Sequence, residues 1–176
     1  MKTKFNSMAL VAAALVALTS AGFADDKKAS VNDNDMKFIK QMAADSKAEV
    51  QIAELGVKKA ESSDVKMLAE RLVADHTALN NDLQALADKK NVDLSAIIAP
   101  SGAREFQKLE GYSGKDFDDS FLKNIQSDHK SDISRMESAQ KKAEDADLKA
   151  FIDKALPGMR SHLDETQKLL GKLSTL

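Results

Sequence analysis

His76, His129 and His162 are the only imidazoles in the 176-residue sequence. Each falls in a stretch whose apolar residues recur at three- and four-residue intervals. His76 follows Leu72 by four and precedes Leu79 by three; His129 lies four from both Ile125 and Ile133; His162 follows Met159 by three. Such spacing puts all of these on one helical face, so each imidazole belongs to a buried seam. On a fourth stretch, with Phe38, Met42, Ile52 and Gly56 along the seam, the residue that breaks the apolar pattern is Glu49. A buried polar side chain costs stability unless it is paired. Three imidazoles and a carboxylate are a donor set for one transition-metal ion, with zinc, iron and copper as the candidates. On this reading Glu49, His76, His129 and His162 are the ligands. Asp45, Asp132 and Glu165, each about one turn from a member of that set, would orient the imidazoles by hydrogen bonds. A second reading needs no ion: the same residues form a polar layer in which Glu49 accepts from His76 and the other imidazoles bond backbone or water. Asp75 and Asp128 directly precede His76 and His129. Neighbours on a helix point about 100° apart, so both aspartates are expected on the flank.

The elements that must bring these residues together are four long helices, read from apolar period. They are expected over about residues 33–60, 64–90, 116–143 and 148–173. The first and second are linked by Glu61-Ser62-Ser63-Asp64, where Ser62 or Ser63 can cap the second helix. Glu144-Asp145-Ala146-Asp147 links the third and fourth. Both links are short enough to make antiparallel hairpins. Residues 91–115, with Pro100 and three glycines, read as a crossover holding a short helix at about 103–109. No strand pattern competes. The expectation is an all-α fold: a ferritin-like four-helix bundle, two antiparallel hairpins joined by a long crossover containing a short helix. Glu49 and His76 lie about 13 residues either side of the first link, and His129 and His162 about 16 either side of the second. Residues equidistant from a hairpin turn share a height, so the four side chains converge near mid-bundle, within roughly 2–3 Å at 1.5 Å per residue. Pro157 lies inside the fourth helix, where a proline kinks the axis and here shapes the packing.

Composition bounds the rest. Residues 1–24 carry Lys2 and Lys4, an apolar run from Met8 to Leu18, and small residues ending at Ala24. That is the pattern of a cleaved signal peptide, and the run is too short to span a bilayer. Residues 25–32 read as a flexible polar leader and 33–174 as the bundle. Export to the periplasm is expected, with outer-membrane association left open. There is no cysteine, which excludes thiolate metal sites and a cysteine nucleophile. The formal charge is −2, and loss of residues 1–24, with two lysines and no acid, takes it to −4. Charges of both signs are interspersed without a basic stripe, which argues against nucleic-acid binding. No later run is a transmembrane segment. No nucleophile–base spacing supports a hydrolase or oxidase, so the reading leans away from an enzyme. A structural or stress-related interaction protein is the alternative to a metal binder. A protein partner is undetermined, self-association into a homo-oligomer stays open, and Ile97, Ile98 and Phe106 are the residues to watch for an exposed apolar patch.

The stretches "AEVQIAELGVKKA", "VKMLAERLVADHTALNNDLQALA", "FDDSFLKNIQSDHKSDI" and "LKAFIDKALPGMRSHLDETQKL" carry a resemblance over nearly the whole chain after Ala24. It resembles the secreted bacterial family called domain of unknown function 4142, often labelled predicted outer-membrane protein. The family pattern falls on Glu49, Asp75-His76, Phe117-Asp118, His129, Leu156-Pro157 and His162. The resemblance implies a ferritin-like bundle and no established reaction. The sequence also departs from di-iron ferritin-like proteins, which use Glu-x-x-His on two helices: Val73, Gln126 and Met159 occupy the positions three before the histidines. A mononuclear site fits better than a ferroxidase.

Overall fold

The computed structural model describes residues 31–175, which are helical apart from short connections. The expected signal peptide and most of the expected leader lie outside these residues. Five helices follow in order: α1 Asp33–Lys59, α2 Ser63–Lys90, α3 Pro100–Glu110, α4 Gly114–Lys142 and α5 Ala146–Leu173. The four long ones form the bundle, α1 packing on α2 and α4 on α5 as hairpins, with α2 against α5 and α1 against α4. The crossover helix α3 lies across α1 and α4.

Local chemistry accounts for the boundaries. The Asn32 side chain accepts from the backbone N–H of Asn34 and Asp35 at 3.0 and 2.9 Å, and so caps α1. Val31 is buried, so the bundle begins before Asp33. At the α1–α2 link the cap is not the expected serine. Neither Ser62 nor Ser63 caps with its side chain. Instead the Asp118 carboxylate, brought over by α4, accepts from Glu61 N–H at 3.0 Å and Ser62 N–H at 2.8 Å. Asp118 is 2% exposed, so a buried acid neutralises the positive end of α2 from a distant part of the chain. The α3 helix starts at Pro100, three residues before the expected start. A proline at the first helical position loses no hydrogen bond and has its φ preset, so Pro100 opens the helix rather than excluding it. The α5 helix continues through Pro157.

Close helix approach explains two glycines. A Cβ on Gly56 would come within 2.8 Å of the Phe121 ring and 2.9 Å of Ala69, so α1, α2 and α4 meet there. A Cβ on Gly102 would come within 2.3 Å of the Ala48 Cβ, which lets α3 press onto α1. The core divides in two. One cluster holds Phe38, Met42, Leu83, Met136, Ile152 and Met159; the other holds Ile52, Leu72, Phe117, Phe121, Ile125 and Leu169. The histidine level lies between them. Ile98 is 78% exposed, but Ile97 and Phe106 pack against the two clusters. The crossover therefore presents no contiguous apolar patch around these three residues.

Candidate metal centre

Glu49 from α1, His76 from α2, His129 from α4 and His162 from α5 meet in the middle of the bundle, exposed by only 4, 1, 0 and 2%. The ring centroids lie 5.4 Å apart for His76–His129, 5.6 Å for His76–His162 and 5.3 Å for His129–His162. One nitrogen from each of the three rings lies within 4.8 Å of the others. Seam spacing is the cause: each helix places one imidazole where its neighbours place leucine, isoleucine or methionine.

Hydrogen-bond accounting fixes which nitrogen of each ring carries a proton. The Ser46 hydroxyl donates to the His76 carbonyl at 3.4 Å. It therefore offers its lone pair to His76 Nδ1, 3.3 Å away. Glu49 Oε2 is 3.1 Å from the same nitrogen. Both neighbours accept, so Nδ1 holds the proton and Nε2 is a bare lone pair. That Nε2 is buried without a partner. His129 Nδ1 faces two more acceptors, the Ile125 carbonyl and Glu49 Oε1, each at 3.1 Å, and so is protonated. His162 Nε2 donates to Asp75 Oδ2 at 2.7 Å. His129 Nε2 and His162 Nδ1 are then left facing each other at 3.3 Å. Two lone pairs cannot share that distance without something positive between them.

Charge follows the same logic. Burial works against the Glu49 carboxylate, yet the charges of His76 and His129 outweigh it and bring its pKa down from 4.5 to about 2. Burial also works against a charged His129, but Glu49 overcomes it and leaves His129 raised. For His76 burial wins, so its pKa is lowered despite Glu49. Burial likewise brings His162 from 6.5 to about 4 against the pull of Asp75. Glu49 thus favours a proton on His129, whereas burial favours the neutral forms of His76 and His162. A second proton on His129 would sit on Nε2, between the two facing rings. Glu49 approaches both Nδ1 atoms, at 3.1 Å each, without the alignment of a hydrogen bond.

Glu49 is thus brought to the Nδ1 edges of His76 and His129 and is not among the three residues whose ligand atoms converge. The three acids expected to orient the imidazoles are held by arginines instead. Asp45 and Asp132 both pair with Arg135, the latter at 3.3 Å, and Glu165 accepts from Arg71 at 2.9 Å. Asp75, expected on the flank, is the acid that holds His162. A 100° offset from the inward-pointing His76 leaves its side chain 48% exposed on the flank facing α5, and Arg71 Nε at 3.4 Å steadies it. Only the Asp-His pairing itself hinted at this. Ser46, one turn before Glu49, carries no such signal in the sequence, because serine is common on helix surfaces; here it is 1% exposed. Asp128 is half-buried, and burial followed by the Glu49 charge pushes its pKa to about 6. The same two causes, in the same order, push Asp132 to about 8.

Two cavities flank the level. One of about 260 Å³, between α1, α3 and α4, is lined by Glu49 with Asp45, Asp128 and Asp132. The other, about 280 Å³, lies between α2 and α5 and is lined by His76 and His162 with Asp75, Leu79, Phe151 and Gly158.

The sequence matches, over residues 20–169, the family described as "Domain of unknown function (DUF4142)". No curated protein matches it. Solved structures share the fold. A DUF305 fragment from Deinococcus radiodurans superposes with a TM-score of 0.73 at 13% identity, covering 82% of this chain and 99% of the other. CopM in its Cu(II)-bound form gives 0.67 at 14% identity, with 78% and 96% covered. CopM in its Ag-bound form gives 0.66 at 15% identity over the same shares. Among the described residues no helix is long and apolar enough to cross a membrane.

Proposed function

The chain belongs to the DUF4142 family, and from that premise and the geometry of the polar level we propose that it is an exported bundle binding one transition-metal ion through His76, His129 and His162. The observation that carries this is the convergence of three imidazole nitrogens whose opposite ring edges are each held by an acceptor. That is the arrangement by which carboxylates and carbonyls fix the tautomer of metal-ligating histidines. The 3.3 Å between His129 Nε2 and His162 Nδ1 is about the edge of a tetrahedron of nitrogens placed 2.0–2.1 Å from an ion. A bound ion would take the place of the His129 proton. Glu49 serves as the buried counter-charge that orients His76 and His129, and Asp75 orients His162. Asp45, Asp132 and Glu165 stand further out, through Arg135 and Arg71. Imidazole donors favour copper and zinc over magnesium or calcium, and iron also accepts them. The Cu(II)- and Ag-bound forms of CopM support a metal-binding use of this fold. The periplasm is the proposed compartment, on the sequence of residues 1–24.

The test is the metal content, by mass spectrometry, of untagged protein recovered from the periplasm without chelator. About one ion per chain, lost in His76→Ala and His129→Ala of unchanged helicity, is expected. Protein that stays metal-free after reconstitution with zinc, iron and copper would overturn the proposal. One observation favours a second reading, a metal-free polar layer: Glu49 raises His129, and a proton on its Nε2 would reconcile the two facing rings. In that case no ion would bind, and His129→Gln, which leaves the buried Glu49 carboxylate without its charge partner, would lose stability.

A further inference from the structure

The three imidazoles are neutral donors, and among the described residues no fourth histidine, aspartate or glutamate joins their group. Zinc completes three protein ligands with a fourth from the protein or with water, and copper(II) takes a square or tetragonal set. Water is not at hand: His76, His129 and His162 are 1, 0 and 2% exposed, and the bare His76 Nε2 is sealed from solvent. Apolar clusters bound the level, with Leu83 and Met136 in one and Leu72 and Ile125 in the other. A site neither closed by a fourth donor of its own nor open to water favours an ion content with three. Copper(I) is such an ion, because its filled d shell imposes no square geometry and its single charge holds water weakly. The 3.3 Å between His129 Nε2 and His162 Nδ1 also suits a planar triangle, whose edge is about 3.5 Å when each nitrogen stands about 2.0 Å from the ion. Met159, one turn before His162, lines the α2–α5 cavity with His76 and His162. A thioether drawn to the ion would be neutral as well, and soft, which favours the same copper(I).

Charge points the same way. Two carboxylates touch the rings. Asp75 meets His162, but its side chain is 48% exposed and also faces Arg71 Nε at 3.4 Å, so water and a guanidinium already answer its charge. Glu49, at 3.1 Å from His76 and from His129, is buried and brings one negative charge to the level. Asp45 and Asp132 are turned to Arg135, and Asp128 lines the α1–α3–α4 cavity. One buried negative charge balances a monovalent ion and leaves a divalent one with a charge to spare, which is costly away from water. Resting on the metal-binding reading above, we infer that the histidine triad selects a monovalent filled-shell ion, copper(I) or its analogue silver(I), against divalent zinc and copper(II).

The experiment uses the mature full chain, untagged and free of oxygen. Copper(I) held by bicinchoninate, zinc and copper(II) held by chromophoric chelators, and silver(I) as a redox-inert probe are each competed against the protein. Copper(I) and silver(I) should bind one per chain, at least about 100-fold more tightly than zinc or copper(II), and His129→Ala should lose both. Zinc or copper(II) bound as tightly as copper(I) would overturn the inference while leaving the metal reading intact. Met159→Leu should keep the preference. Its loss there would show that the thioether, and not the closed triad, makes the choice, and would overturn the inference in the same way. Copper(I) and silver(I) held equally well by His129→Ala of unchanged helicity would place them elsewhere on the chain and overturn it too. Failure of all four ions to bind would overturn the metal reading first, and the inference with it.

Discussion

Replacing Glu49 with glutamine removes one charge and almost no volume from the centre of the bundle. The carboxylate's pKa falls from 4.5 to about 2 in the folded protein. At about 1.36 kcal/mol per unit, the ionised form is favoured by roughly 3 kcal/mol over the neutral one. The sign is that of a depressed acid: the stabilisation is present above pH 4.5 and is lost as pH falls towards 2. Glutamine imitates the protonated acid, so Glu49→Gln should lower metal-free stability at pH 7, by up to about 3 kcal/mol. Part of the loss is returned, because the Glu49 charge is also what helps raise Asp128 and Asp132. That relief grows as those acids ionise, so the gap between parent and variant should be smaller at pH 9 than at pH 7. It should also close below pH 4.5. Metal affinity should fall by about 10- to 100-fold, the usual consequence of losing a group that orients ligating histidines. Urea unfolding followed by circular dichroism, on chelator-treated protein at pH 3, 7 and 9, measures the first effect; competition with a chromophoric chelator measures the second. A variant as stable as the parent at pH 7 would refute the ion pair. A variant less stable by the same amount at every pH would show that the loss is one of packing.

Other outcomes follow from the same charges. His162, lowered to about 4, takes up its proton on unfolding at pH 6.5, so its contribution declines as pH falls from 6.5 to 4, by about 3 kcal/mol in all. Thermal melts over that range should drop steeply in the parent and less so in His162→Gln. Asp132, raised to about 8, has the opposite sign: its contribution is whole below pH 3.8 and is lost as pH rises to 8. Asp132→Asn should therefore gain at least about 1 kcal/mol over the parent at pH 8.5, read by urea midpoints, despite giving up the Arg135 contact. Asp118→Ala leaves the N–H groups of Glu61 and Ser62 without their acceptor and should cost about 2 kcal/mol in the same assay, with no change in metal affinity.

How much of this was legible in the sequence depends on which kind of distance decides each feature. Spacing along one helix selects a face, and a short link makes partners of two helices at equal height. Those two facts suffice to bring Glu49, His76, His129 and His162 to one level, because every step is local. They say nothing about which helix lies beside which. Asp75 and Glu165 show the consequence. Each sits about 100° or one turn from an inward histidine, and in a single helix their prospects look alike. Packing of α2 against α5 puts Asp75 on His162 and leaves Glu165 to Arg71. Arg135 similarly takes Asp45 and Asp132 because α1 and α4 adjoin. A guanidinium that competes for a nearby acid is not visible in the period of its own helix. The placing of Glu49 within the level depends on a finer distance. Its seam position brings it there, but which ring edges it meets depends on which ring nitrogens turn towards it. That choice is made by Ser46, the Ile125 carbonyl and Asp75 jointly. Each fixes one proton, and the three protons together decide where the lone pairs point. The metal reading therefore stands on the protons of these three rings more than on the number of histidines. A substitution that leaves all three imidazoles in place but reverses one tautomer should be as damaging to binding as the loss of a ligand.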